Sequence, residues 1–134
     1  MKQLAAVVLP VDDSIVMVLN KKDKGKNKYT IPKGKVKKKE DILKAAKREF
    51  KEETSIDIDE LKIKTKEIFK IGKKIIHVYF LNKISRKKFD SVFIGFDKID
   101  DEICSIKIYD FKKAIKKSHK KYKGLIKQIF KINI

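Results

Sequence analysis

Two apolar, β-branched runs open the chain, "QLAAVVLP" and "SIVMVLN", separated only by "VDD". That spacing predicts a hairpin. The polar stretch "KKDKGKNK" reads as a loop, and "YTIPKGKVKKK" as a short strand followed by a turn carrying Pro32 and Gly34. A helix is predicted from about Glu40 to Thr54, with Glu40 and Asp41 in its first turn, where the helix dipole favours acids. A second hairpin turns near Gly72, and its second arm, Ile75 to Leu81, has no formal charge and reads as a central strand. Along that strand Ile75, His77, Tyr79 and Leu81 share one face, and Ile76, Val78 and Phe80 the other. "SRKKFD" reads as a loop and "SVFIGF" as a short strand or irregular segment. "ICSIKIY" follows as a strand, then a helix capped by Asp110 and starting at Phe111. Tyr122, Leu125, Ile126, Ile129 and Phe130 recur at helical spacing, the signature of a packed face. Hairpins together with strands flanking a helix predict an α+β fold, one domain over 1–134 with a mixed sheet between helices.

Composition narrows the setting. The lone Cys104 allows no disulfide within the chain, which fits a reducing, cytoplasmic environment. No apolar run is long enough to cross a bilayer, so no membrane association is expected. The opening residues resemble a short signal peptide, but Ala5 and Ala6 precede the apolar run instead of following it, so a buried first strand is the better reading. The net charge of +18 suits a polyanionic partner. It is carried by lysine almost throughout, spread along the chain as in proteins from AT-rich genomes, and so discriminates weakly.

The informative charges are acidic. On a helical wheel for 40–54, Glu49 and Glu53 lie about 40° apart on the side that carries Ile42, Ala46 and Phe50. The basic residues point the other way. Glu49–Glu53, Lys44–Arg48 and Lys47–Lys51 are all like-charge pairs at i,i+4, each unfavourable by roughly 0.2–0.5 kcal/mol in an exposed helix. A salt-bridged surface helix therefore fits poorly. Carboxylates gathered and partly buried must lose charge or gain a cation. Three oxygen donors, Glu49, Glu52 and Glu53, suit a hard divalent ion such as Mg²⁺ or Mn²⁺. Arg48, one turn before Glu52, is placed to hold that carboxylate by a forked pair.

From Gly34 the chain runs "GKVKKKEDILKAAKREFKEETSI". This resembles the Nudix box: Gly34, Glu40, Arg48, Glu49, Phe50, Glu52, Glu53 and Ile56 match, and Ser55 stands where the family usually has glycine. At this chain's composition such a match arises by chance in roughly one start position in a billion. The family glycine is expected to end the helix in a left-handed conformation, so Ser55 costs on the order of 1 kcal/mol and leaves the ligands intact.

The resemblance implies an α/β/α sandwich and hydrolysis of a nucleoside diphosphate linked to another group, with Mg²⁺ or Mn²⁺. It makes Glu49, Glu52, Glu53 and the Gly34 carbonyl metal ligands, with Glu40 and Arg48 orienting them. Glu53 or Glu49 is the candidate base, and so is Glu102, which resembles the acid preceding the last strand in bacterial and archaeal diadenosine tetraphosphate hydrolases. A solvated acidic turn over Asp100–Glu102 is the alternative. "YTIPKGKV" resembles a run in dinucleoside polyphosphate hydrolases, with Tyr29 for tryptophan and Lys33 contacting phosphate. His77 and Tyr79 either line a nucleotide pocket or sit in the core. The substrate expected is a small nucleotide, dinucleoside polyphosphates first. RNA 5′ ends, oxidised nucleoside triphosphates, nucleotide sugars and ADP-ribose are the alternatives. A catalytically inactive nucleotide- or RNA-binding module is the rival of another class. The chain is expected to be a monomer or homodimer.

Overall fold

The computed structural model describes residues 1–26, 28–93, 95 and 101–132. Strands β1 (Lys2–Val8), β2 (Pro10–Val11), β3 (Ser14–Asn20) and β4 (Lys33–Lys35) precede helix α1 (Ile42–Thr54). Then come β5 (Ile63–Ile71), β6 (Lys74–Leu81), α2 (Arg86–Val92), β7 (Ile103–Asp110), α3 (Phe111–Lys117) and α4 (Lys123–Lys131). The strands form two sheets, ordered β4-β1-β6-β5 and β2-β3-β7. Among the strands of the described residues only β1 and β6 run parallel, which makes the first sheet mixed.

The expected hairpin of the two opening runs forms only at its tip, where Pro10 and Val11 pair with Ile15 and Ser14. β1 pairs with β4 and β6, whereas β3 turns back on the two-residue β2 and pairs with β7 in the other sheet. The two-residue β2 and the longer β3 turn at Asp12, which takes φ +55°, and β1 is left free to be buried on both faces. The second hairpin forms as read, with Gly72 at φ +59° and β6 interior to its sheet.

The alternation along β6 separates two cores. Ile76, Val78 and Phe80 pack with Leu125, Ile126 and Ile129 of α4. Tyr79 and Leu81 pack with Ala45, Ala46 and Phe50 of α1 and with Phe89 of α2. This is an α/β/α sandwich, its layers dictated by period-two patterning in the strands and period-3.6 patterning in the helices.

Several local expectations need correction. "SRKKFD" belongs to α2, because Ser85 caps it through Lys88 N (3.1 Å) and Phe89 gives it a buried anchor. Of "SVFIGF", Ser91 and Val92 end α2, while Ile94 and Phe96 lie outside the described residues. Gly34 lies within β4, opposite Ala5, and not in a turn. Asp110 caps α3 as expected, accepting from Lys113 N at 2.9 Å.

Candidate metal and nucleotide site

Helix α1 begins two residues later than Glu40. Asp41 is its cap, accepting from Lys44 N, so Glu40 stands outside the first turn in a loop where Lys39 takes φ +65°. That displacement gives Glu40 its role. Arg48 Nε and Nη2 reach its two oxygens at 2.9 and 3.0 Å, a forked ion pair, and Nη2 also meets the Lys35 carbonyl at 3.1 Å. Arg48 Nη1 meets Glu49 Oε1 at 2.8 Å and Glu52 only at 3.4 Å. The fork expected to hold Glu52 thus holds Glu40, because a partner arriving from the loop can face the guanidinium squarely and one on the same helix cannot. The Arg48 hydrogen bonds, helped by the Lys37 amide, pull the Glu40 carboxyl down to about 2. Arg48 is in turn raised above its ordinary value, by Glu40 first. The Lys47–Lys51 conflict is eased by Asp59, which pairs with Lys47 at 2.5 Å.

The three glutamates of α1 differ in exposure. Glu49 has a side chain 16% exposed, whereas that of Glu52 is 42% exposed. Burial raises the Glu49 pKa, Arg48 opposes the rise, and the negative charges of Glu52 and Glu102 add to it. Glu53 is half-buried and accepts from Lys33 N at 3.1 Å. Gly34 has a steric reason to be glycine, since a Cβ there would fall 2.0 Å from the Glu49 carboxyl carbon. The structure therefore brings Gly34, Glu40, Arg48, Glu49, Glu52 and Glu53 together, with Glu102 near enough to act on Glu49. Glu102 sits in the turn before β7, its carbonyl accepting from Lys21 N at 2.8 Å, while Asp100 lies outside the described residues.

Among the described residues no three acidic, histidine or cysteine side chains converge closely enough to cage an ion. Arg48 is drawn among the carboxylates, and Glu53 turns to a backbone amide. The donor chemistry nevertheless fits a hard divalent cation: all-oxygen ligands on one helix end, with mutual repulsion that such an ion would relieve.

Beside Glu53 opens a cleft of about 390 Å³ whose walls carry Lys22, Lys28, Lys33, Lys74 and Lys121. Among the described residues none of Lys22, Lys33, Lys74 or Lys121 is in an ion pair; Lys28 approaches Asp23 at 3.9 Å. Lys33 lines this cleft. Tyr29, His77 and Tyr79 are not on this wall. Tyr29 is buried, its hydroxyl 2.7 Å from Ser105 Oγ and its ring edge-on to Tyr109. His77 and Tyr79 face the α1 layer, where His77 Nε2 lies 2.6 Å from Gln3 Oε1 and Tyr79 joins the core. The alternation along β6 that put them together also turns them from the cleft.

His119, which the sequence reading did not assign to a site, stands at the cleft beside Tyr122, which is buried in the core as its helical spacing predicted. Both line the cleft, between α3 and α4, with rings 5.7 Å apart and edge-on. Lys33 Nζ sits 4.5 Å from the centre of the Tyr122 ring and Lys74 Nζ 3.4 Å from its hydroxyl. Burial lowers the His119 pKa, with Lys28 adding to the effect. The available signal was the interruption "SHKKY" between two helical stretches, where the chain must turn.

The NUDIX domain family model matches residues 1–129. No curated protein shows significant sequence similarity to the chain. Among solved structures, an Ap4A hydrolase of C. elegans in a binary complex superposes with a TM-score of 0.70 at 18% identity, covering 98% of this chain and 97% of that one. A bifunctional NMN adenylyltransferase/ADP ribose pyrophosphatase from Francisella tularensis, bound to AMP and Mn, gives 0.72 at 20% identity, over 96% of this chain and 42% of the larger one. The E. coli dihydroneopterin triphosphate pyrophosphohydrolase gives 0.64 at 19% identity, with 98% and 96% covered. At these identities the likeness is one of fold.

Proposed function

The chain belongs to the Nudix hydrolase family, and from that premise we propose that it hydrolyses a pyrophosphate linkage in a nucleoside polyphosphate, with dinucleoside polyphosphates such as diadenosine tetraphosphate as favoured substrates. One observation carries the reading. At the end of α1 two half-buried glutamates lie a turn apart, Glu49 packed against Gly34 and Glu53 lining a cleft walled by five lysines. One side suits a divalent ion and the other a row of phosphates. The C. elegans neighbour, matched nearly end to end, supports the choice of substrate.

Glu49, Glu52, Glu53 and the Gly34 carbonyl would hold Mg²⁺ or Mn²⁺. When bound, the metal supplies charge neutralisation of the pyrophosphate and a lowered pKa for attacking water. Arg48 fixes Glu49 and is itself oriented by Glu40. Lys33 offers its ammonium to phosphate, while its backbone N–H holds Glu53. Glu53, Glu49 or Glu102 receives the proton of the water. Tyr122, buried and with Lys33 over its ring, backs the cleft from the core.

The test is product analysis in Mg²⁺ with diadenosine tetraphosphate, a 5′-triphosphorylated RNA 5-mer, 8-oxo-dGTP and ADP-ribose, beside Glu53→Gln. Preference for the dinucleotide, lost in the variant, is the expected result. No turnover of any substrate with either metal would favour a binding module.

A further inference from the structure

Four strands stand at the edges of the two sheets, β4 and β5 in one and β2 and β7 in the other. Three of them are blunted. β4 and β2 are three and two residues long, and β7 exposes only Lys107 and Asp110 of its eight. β5 is nine residues long and exposes all but Phe69 and Ile71. Ile68 is 60% exposed and Ile63 40%, two of the four large apolar side chains left in water among the described residues. An edge of that length, about 30 Å, carries a row of backbone groups ready to pair with another strand.

The hairpin fixes which of those groups are free. Its two-residue turn, Gly72 and Lys73, closes on the Ile71–Lys74 pair. Bonded and non-bonded pairs alternate in an antiparallel ladder, so Ile71, Phe69, Glu67 and Thr65 bond to β6. Lys66, Ile68 and Lys70 therefore aim their N–H and C=O groups outward. Their side chains share the face of His77 and Tyr79, and Lys66 Nζ lies 5.3 Å from the centre of the Tyr79 ring. None of the ion pairs among the described residues includes Lys66 or Lys70. On the opposite face Phe69 and Ile71 pack toward α4 and, with Leu125 and Gln128, line a hollow of about 240 Å³.

We propose that the outer edge of β5 binds an extended acidic segment of another protein, added antiparallel to it as a fifth strand of the four-stranded sheet. The alternation of an added strand specifies its sequence. Side chains beside Lys66 and Lys70 meet ammonium groups held in no ion pair and are acidic, while those between them point to the hollow and are apolar. Main-chain pairing supplies affinity, and the two faces supply selectivity. A second copy of this chain is the wrong occupant. Two β5 strands centred on Lys66, Glu67 or Ile68 would oppose Lys66 with Lys66, Lys64 with Lys70, or Lys66 with Lys70. Like charges directly opposite are destabilising, so the lysines that turn away a copy admit an acidic partner. β5 contributes no residue to the cleft beside Glu53, and the surface does not rest on the hydrolase reading.

The probe is a fluorescein-labelled peptide of about ten residues alternating glutamate with valine, blocked at both ends and followed by anisotropy. It is compared with a scrambled peptide of the same composition and with one N-methylated at its glutamates, which keeps the charge and removes the N–H groups facing β5. Both controls should bind at least about tenfold more weakly. Lys66→Glu/Lys70→Glu should weaken binding of the alternating peptide about tenfold or more. Lys87→Glu/Lys88→Glu on α2, an identical charge change at exposed positions, should weaken it less than about threefold. Ile68→Pro removes one outward N–H and spares the ladder to β6, so binding should fall about fivefold with the far-UV circular dichroism unchanged. Binding is read without turnover, so a chain that hydrolysed nothing would still pass or fail this test. Equal losses from both double variants, or undiminished binding of the N-methylated peptide, would mean diffuse charge attraction and overturn the proposal. So would no binding of the alternating peptide at about 0.5 mM, or a dimer in sedimentation equilibrium that Ile68→Pro dissolves.

Discussion

Helices α1 and α4 are built on the same amphipathic principle and use charge in opposite ways. In α1 the polar positions mix both signs, and the Arg48 guanidinium is satisfied by Glu40, Glu49 and a backbone carbonyl. In α4 the exposed cations are all lysine, with no carboxylate near in sequence to meet them. Partnered charge fixes side-chain positions, as chemistry on a small substrate requires. Unpartnered charge leaves them available for a ligand and contributes mainly through the summed field. Substitutions should separate the two helices accordingly.

The largest separation is expected at Glu53. Replacing it with Gln keeps an oxygen for the Lys33 amide, so the fold should hold, while one carboxylate of the proposed ion-binding end is lost. Turnover of diadenosine tetraphosphate should fall on the order of 10³-fold, whereas Lys127→Glu on α4 should leave it within about twofold. Comparable losses from both would erase the distinction. Next in size is Gly34→Ala. Its Cβ must push the Glu49 carboxylate from its place, so activity should drop roughly 10–100-fold. A stability loss of about 1–3 kcal/mol in urea unfolding should accompany it.

These expectations rest on parts of the molecule that were unequally legible in the sequence. The inward glutamates could be read because helical geometry converts spacing directly into direction, and Glu49 and Glu53 lie where the wheel places them. The faces of β6 were legible for the same reason. What local pattern could not give was which layer each face would meet. His77 and Tyr79 share a face as read, but that face turns to α1, and the cleft takes His119 and Tyr122 from a turn distant in sequence. The Arg48 partner was misjudged for a related reason. Residues four apart on a helix are visible neighbours, whereas Glu40 reaches Arg48 only because the helix starts after it. Strand pairing was hidden too, since the short β2 intervenes and sends the two opening runs to different sheets.

The Glu40–Arg48 pair sharpens the comparison at intermediate size. Arg48→Lys keeps the charge but loses the fork, and Mg²⁺ affinity measured by activity titration should weaken about tenfold. The pair should also show in acid. Glu40 is held near 2, below its ordinary 4.5, so its contribution is complete above about pH 4.5 and is lost as pH falls through about 2. Urea midpoints measured downward from pH 5 should decline in the wild type, and Glu40→Gln should flatten that part of the decline. Lys127→Glu should leave its shape as it is.

The smallest effect should come from the residue that ends α1. Ser55 takes φ +64°, a left-handed conformation in which its N–H closes on the Lys51 carbonyl at 2.8 Å. A side chain there is strained, and the buried Ser55 hydroxyl has no hydrogen-bond partner among the described residues. Both penalties vanish in Ser55→Gly, while the greater freedom of glycine in the unfolded chain offsets part of the gain. The net expectation is about 1 kcal/mol of added stability in urea unfolding. Catalysis should not change with it, because the cap lies one residue beyond Thr54, whose hydroxyl bonds to the Phe50 carbonyl and accepts from Ile56 N. That anchorage holds the last turn without help from Ser55. A drop in turnover with the gain in stability would mean that the strained cap positions Glu52 and Glu53, and the partnered end of α1 would then extend one residue further than its ion pairs.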